Sequence, residues 1–238
     1  MPWDFVVILV VMGIVVPWRA FQRIRELLRQ PELSTEERMA VYFSTMMVQW
    51  PAALIVLWRA FARGLRLEQL GLALPDPAFT LVVTVVLSGV LFVVQIAGLN
   101  RMARLPPERQ GLLGEIARKL MPAAPRDRRV FLLLVLTVAV CEEFLYRGFA
   151  LVVFQDAFAG AALSGAFLSS ALFALAHLYQ GTRGMVMTFF VAMLFAGARL
   201  YTGSLLPCIV AHFLADLVAG LRAPRLLRAR EAPPRCIT

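Results

Sequence analysis

Six ionisable residues stand inside long apolar stretches of this 238-residue chain: Glu142, Glu143, Arg147, His177, His212 and Asp216. Each costs about 2.5–3.5 kcal/mol at membrane depth even on lenient insertion scales, so a chain that keeps them there is expected to use them. They fall at helical spacing, with Glu143 four residues before Arg147, Phe173 four before His177, and His212 four before Asp216. At about 100° per residue, Arg147 lies about 40° from Glu143 around a helix but about 140° from Glu142. Glu143 and Arg147 are therefore expected to form an ion pair, which is what makes a buried arginine tolerable. Glu142 is left pointing elsewhere without a local counter-charge, as suits a general base. One histidine on an apolar helix is more often a hydrogen-bonded core residue than a catalyst. Two of them, with a glutamate pair on a separate span, point to chemistry.

Two water-based mechanisms fit this set. Glu142 and His177 polarise a water directly, or Glu142, His177 and His212 hold a zinc ion that brings the pKa of its bound water to about 7. In both, His212 stabilises the oxyanion and Asp216 orients His212. Three other readings compete: a polar network that only locks helices together, a non-catalytic membrane scaffold or immunity protein, and a proton relay in a transporter. A transporter built on repeats would place broken helices in both halves of the chain, whereas these residues all follow position 130.

Taken in order, Glu142-Glu143-x-x-x-Arg147, Phe173-x-x-x-His177 and His212-x-x-x-Asp216 resemble the CPBP family. That family comprises the type II CAAX prenyl endopeptidases and the bacterial bacteriocin-processing and immunity (Abi) proteins. Leu194-Phe195-Ala196-Gly197 and the stretch Thr202 to Pro207 are similar to it as well, and the resemblance spans about residues 130–222. It implies an all-α intramembrane peptidase with a cavity open toward the cytoplasm and the lipid. By that resemblance Glu142 and His177 activate the attacking water, His212 and Asp216 form the oxyanion-side pair, and Glu143 and Arg147 support them. Asp216 departs from relatives that carry Asn there. The family is grouped with metalloproteases, yet its first motif is not His-Glu-x-x-His, so zinc and a metal-independent glutamate-activated water both stay open. The implied substrate is a membrane-associated or lipidated peptide or protein.

Composition places these motifs in a bilayer. Sixty per cent of the residues are hydrophobic, above the usual ~45–50% of soluble domains, and the mean hydropathy is +0.75. The net charge of +9 is carried by arginines between and after apolar runs, with no nucleic-acid-binding motif beside them. Cys141 and Cys208 show no metal-type spacing and are expected as small buried side chains.

Apolar runs near 4–18, 40–60, 78–99, 130–154, 158–178, 184–201 and 204–221 predict an all-α polytopic bundle of about seven transmembrane helices. The first, with Asp4 ahead and Arg19, Arg23, Arg25 and Arg29 behind, reads as an uncleaved helix. The arginine-rich segments 19–39, 100–129 and the tail favour an outside N-terminus and a cytoplasmic C-terminus in a cell membrane, here a bacterial inner membrane. The predicted organisation is residues 1–129 as N-terminal spans with an amphipathic connector, 130–222 as the catalytic core, and 223–238 as a basic, disordered tail able to touch anionic lipid.

Overall fold

The computed structural model describes residues 1–228, and among these it is helical throughout, with no strand beyond one isolated bridge between Leu72 and Ser204. The helices are α1 (Trp3–Arg29), α2 (Thr35–Ala62), α3 (Pro77–Arg104), α4 (Gly111–Leu120), α5 (residues 125–157), α6 (Ala162–Ala176), α7 (Gly181–Thr202) and α8 (Leu206–Arg228). The all-α bundle is as expected. Five of its helical stretches are long and apolar enough to cross a membrane: Trp3–Arg29, Thr35–Ala62, Pro77–Arg104, Leu178–Thr202 and Leu206–Pro224. The other two expected spans are α5 and α6. α5 carries Arg126, Asp127, Arg128 and Arg129 at its start and the Glu142–Arg147 charges in its middle. α6 has 15 residues, which reach about 22 Å of the ~30 Å hydrocarbon thickness. These exceptions are the helices that bear the Glu pair and the first motif histidine.

Local chemistry explains several helix boundaries. Ser34 and Glu37 form a reciprocal capping box at the start of α2, with Ser34 N donating to Glu37 Oε2 at 2.8 Å and Glu37 N to Ser34 Oγ at 3.1 Å. Asp76 caps α3 by accepting from Phe79 N at 3.0 Å, with Pro77 at the first helical position. In α1 a π turn, Val11–Val15, precedes Pro17, where the ring removes a backbone donor and a regular ladder could not continue. The predicted amphipathic connector is helix α4, which buries Ile116 and Ala117 against the bundle. The last helix runs to Arg228, into the stretch expected as a tail; residues 229–238 lie outside the described residues.

Two polar clamps fix the bundle at its ends. At one end Asp4 of α1 accepts from Arg59 at 2.6 Å and from Arg63 at 3.2 Å. The connection between α2 and α3 folds inward beside them, burying Leu70 completely. Arg199 of α7 donates to Gln69 O at 2.6 Å, and Leu205 N donates to Gly71 O at 2.8 Å, so that connection sets where α8 begins. Gly148 of α5 packs against the same segment, and a side chain there would meet Leu70 O at 2.9 Å. At the other end Arg38 of α2 donates to Asp127 of α5 at 2.6 Å, and also to Leu33 O and Lys119 O. Lys119 in turn donates to the carbonyls of Leu28 and Gln30 at the end of α1.

Arg38 and Asp127 are almost wholly enclosed, with side chains 6% and 0% exposed. Removing one partner leaves the other charge buried and alone. Asp127→Ala is expected to lower unfolding stability in detergent by about 3 kcal/mol, and the double variant Arg38→Leu/Asp127→Leu to recover part of that loss. Thermal unfolding of the solubilised protein measures both.

Candidate active site

The site is assembled from four helices around the middle of α5. Regular helix ends at Glu143 and a π turn follows, Phe144–Ala150, ahead of a last regular stretch, Leu151–Ala157. Such widened turns occur often at functional sites, since they re-aim side chains without ending the helix. Glu143 and Arg147, both 0% exposed, pair within this segment through Arg147 Nη1 and Glu143 Oε1 at 3.2 Å. The same oxygen accepts from His212 Nδ1 of α8 at 2.7 Å. Glu143 thus bridges two cationic or donor groups from two helices.

Arg147 keeps its charge by a second device. Its Nε and Nη2 find no acceptor among the described residues. Its guanidinium instead lies over the Phe173 ring of α6 at 4.1 Å and near the Phe195 ring of α7 at 5.3 Å. A ring face attracts a desolvated cation by about 2 kcal/mol or more. Phe173 also touches the rings of His177 and His212, with centroids 4.4 Å and 6.3 Å apart. One aromatic ring therefore spaces the arginine from both histidines.

His177 sits where α6 stops. The chain leaves the helix at His177 and turns through Leu178–Gln180 to Gly181, whose φ of 78° suits a residue without a side chain. This turn is covered by the second half of α1 and by α4. His177 Nδ1 is 2.8 Å from Phe173 O. A carbonyl only accepts, so Nδ1 carries the hydrogen and Nε2 presents its lone pair.

Glu142 points away from the Glu143–Arg147 pair, as helical phase predicts, and toward α2. Gln49 Nε2 donates to its Oε1 at 2.9 Å, while Glu142 Oε2 is buried without a partner. Glu142 lies within electrostatic reach of His177, His212, Asp216 and Glu143. Asp216 Oδ2 is 3.5 Å from His212 Nε2 and its side chain is 41% exposed, so the cluster is closed at Glu143 and open at Asp216. All six sequence-expected residues share one site. Gln49 and Phe195 were not among them; a lone amide in an otherwise apolar span was the available signal for Gln49. Cys141 and Cys208 are free, buried thiols, as expected.

The expected zinc set of Glu142, His177 and His212 does not fit a metal in this arrangement. His212 turns Nδ1 to Glu143 and Nε2 to Asp216, which leaves Glu142 Oε2 and His177 Nε2, two donors where a catalytic zinc takes three protein ligands. Among the described residues no group of three His, Cys, Asp or Glu side chains could hold a metal ion.

The two glutamates should respond differently to loss of charge. Glu143→Gln strands the buried Arg147 guanidinium and is expected to cost about 3–5 kcal/mol. Glu142→Gln keeps an oxygen for Gln49 and should cost less than about 1 kcal/mol. Detergent-resistance or thermal unfolding curves of the two variants test the difference, and equal losses would refute the division of labour.

Residues 126–218 match the family described as Rce1-like, type II CAAX prenyl endopeptidase Rce1-like. No curated protein and no solved structure gives a match. The matched segment holds Glu142, Glu143, Arg147, His177, His212 and Asp216. The chain is thus a multi-pass membrane protein whose residues 126–218 are similar to the type II CAAX prenyl endopeptidases of the Rce1-like family.

Proposed function

We propose that this protein is an intramembrane endopeptidase that hydrolyses a peptide bond in a membrane-associated or lipidated peptide or protein, with Glu142 and His177 activating the water. The observation that carries this reading is a pair of groups within electrostatic reach of each other: Glu142, whose Oε2 has no partner among the described residues, and His177, whose Nδ1 alone is taken up by Phe173 O. Gln49 holds the other oxygen of Glu142, and the carbonyl of Phe173 holds the other ring nitrogen of His177.

The chemistry follows from those positions. Water donates a hydrogen to Glu142 and is oriented by His177 as its oxygen attacks the carbonyl carbon. The new C–O bond displaces the carbonyl π pair onto oxygen, and the oxyanion accepts from His212 Nε2–H, which Asp216 meets only at a long 3.5 Å while Glu143 holds Nδ1 at 2.7 Å. Collapse breaks the C–N bond, and the proton on Glu142 passes to the leaving nitrogen. The products are a carboxylic acid and an amine, and the acid's proton passes to the amine to give a carboxylate and an ammonium. No step is routed through a metal, because the cluster leaves two ligand atoms where a catalytic zinc takes three.

Substrate entry is assigned to the Asp216 side, where the cluster is exposed. The arginine distribution supports an outside N-terminus and a cytoplasmic C-terminus in a cell membrane, which turns that side toward the cytoplasm. The partners in this reading are the substrate and the lipid bilayer, with no nucleic acid.

With a quenched, farnesylated CAAX-type peptide in proteoliposomes, Glu142→Ala and His177→Ala are each expected to abolish cleavage while expression and unfolding temperature hold. Phenanthroline and EDTA should leave the wild-type rate within twofold, and the purified protein should carry no stoichiometric metal. Undiminished turnover by either alanine variant would sink the mechanism; loss of activity to chelator, restored by zinc, would replace it with a metal-dependent one.

A further inference from the structure

The family match begins at residue 126, yet one polar contact of the site comes from far upstream. Gln49 lies on α2 between Val48 and Trp50, in a span that is otherwise lipid-like in composition. Its side chain turns inward and donates Nε2–H to Glu142 Oε1 at 2.9 Å. An ionised carboxylate can only accept, so the amide nitrogen must face it. Gln49 Oε1 and Glu142 Oε2 are both buried without partners, so each group of this pair retains one free acceptor atom. A buried amide in an apolar helix is costly unless it is used, and here its donor is spent on the residue placed at the chemistry.

The backbone that presents Gln49 is fixed independently of Glu142. The next residue, Trp50, donates its indole Nε1–H to Thr137 Oγ1 of α5 at 3.1 Å. Farther along α2, Arg38 is tied to Asp127 of the same helix. The α2–α5 contact is therefore held, along the stretch of α5 that leads to Glu142, by two bonds that do not involve the glutamate, and the Gln49 amide meets Glu142 from that frame. A freely rotating glutamate would present either oxygen in many directions. With Oε1 occupied, Oε2 is the oxygen presented to the water.

We infer that Gln49 is a positioning residue for Glu142, so that the catalytic geometry depends on an α2 side chain outside the family-matched segment. This inference rests on the proposed role of Glu142 as the activating base. It makes the N-terminal half part of the enzyme's machinery rather than a passive membrane wall.

The test uses the full chain in proteoliposomes with the same quenched farnesylated peptide, comparing wild type with Gln49→Leu, Gln49→Asn and Glu142→Ala. Gln49→Leu keeps the volume and removes the donor; Gln49→Asn keeps the amide but is one methylene short. Misplacing a reacting group by about 1 Å costs on the order of 100-fold, so both variants are expected to lose about 10- to 100-fold in kcat with KM within twofold. A role in packing alone would lower unfolding temperature and active fraction and would spare the per-molecule kcat of Gln49→Asn. Thermal unfolding adds a readout without turnover: Gln49→Leu and Glu142→Leu should be non-additive in the double variant. Wild-type kcat in both Gln49 variants, with Glu142→Ala inactive, overturns the positioning role and leaves Glu142 as the base. Full activity of Glu142→Ala overturns both.

Discussion

The carboxylate of Glu143 is the constraint around which the rest is arranged. A guanidinium in a low-dielectric interior is intolerable without compensation, and Arg147 is completely buried. Glu143 supplies the counter-charge from the preceding turn, and the rings of Phe173 and Phe195 supply electron-rich faces from α6 and α7. His212 of α8 joins through the same Glu143 oxygen. Four helices are thereby drawn to one ion, and their mutual rotation is limited by it. Hydrophobic packing alone would not do this, since lipid tails satisfy apolar side chains as well as neighbouring helices do.

That arrangement has a direct consequence for Glu142. Because it is the next residue on α5, it cannot share the face occupied by Glu143, and it is turned to α2. Two chemically identical side chains thus acquire opposite duties from their angular positions. One gives an oxygen to Arg147 and His212 together; the other gives an oxygen to the neutral amide of Gln49. The short helix α6 has a matching effect on His177. Since α6 ends after 15 residues, the imidazole stands at its C-terminal end against the Phe173 ring, and the carbonyl of Phe173 sets its tautomer.

Much of this was legible in the chain itself. The division between Glu142 and Glu143 follows from helical phase, and it survives the π turn because Arg147 remains on the face of Glu143. The capping pattern Ser34 to Glu37 and the proline brackets around residues 111–120 are local signals, and the structure honours them. Seven equivalent spans were less accurate. Hydropathy weighs composition over a window, so it credits an apolar run beside a short helix and cannot see that α6 ends early. The zinc set was a matter of residue type without direction; ring nitrogens have to point somewhere, and those of His212 point at carboxylates.

Sequence alone therefore determined the membrane class, the helical content, the identity of the six ionisable residues and the separation of the two glutamates. All of these depend on composition or on spacing along one helix. Tertiary structure decided which helices meet: that His212 belongs to Glu143, that Phe173 and Phe195 shelter Arg147, and that Gln49 reaches Glu142 across 93 residues of chain. Those contacts are set by how rods rotate and pack against one another. Periodicity within a single rod fixes what each face carries but not which neighbour it will face.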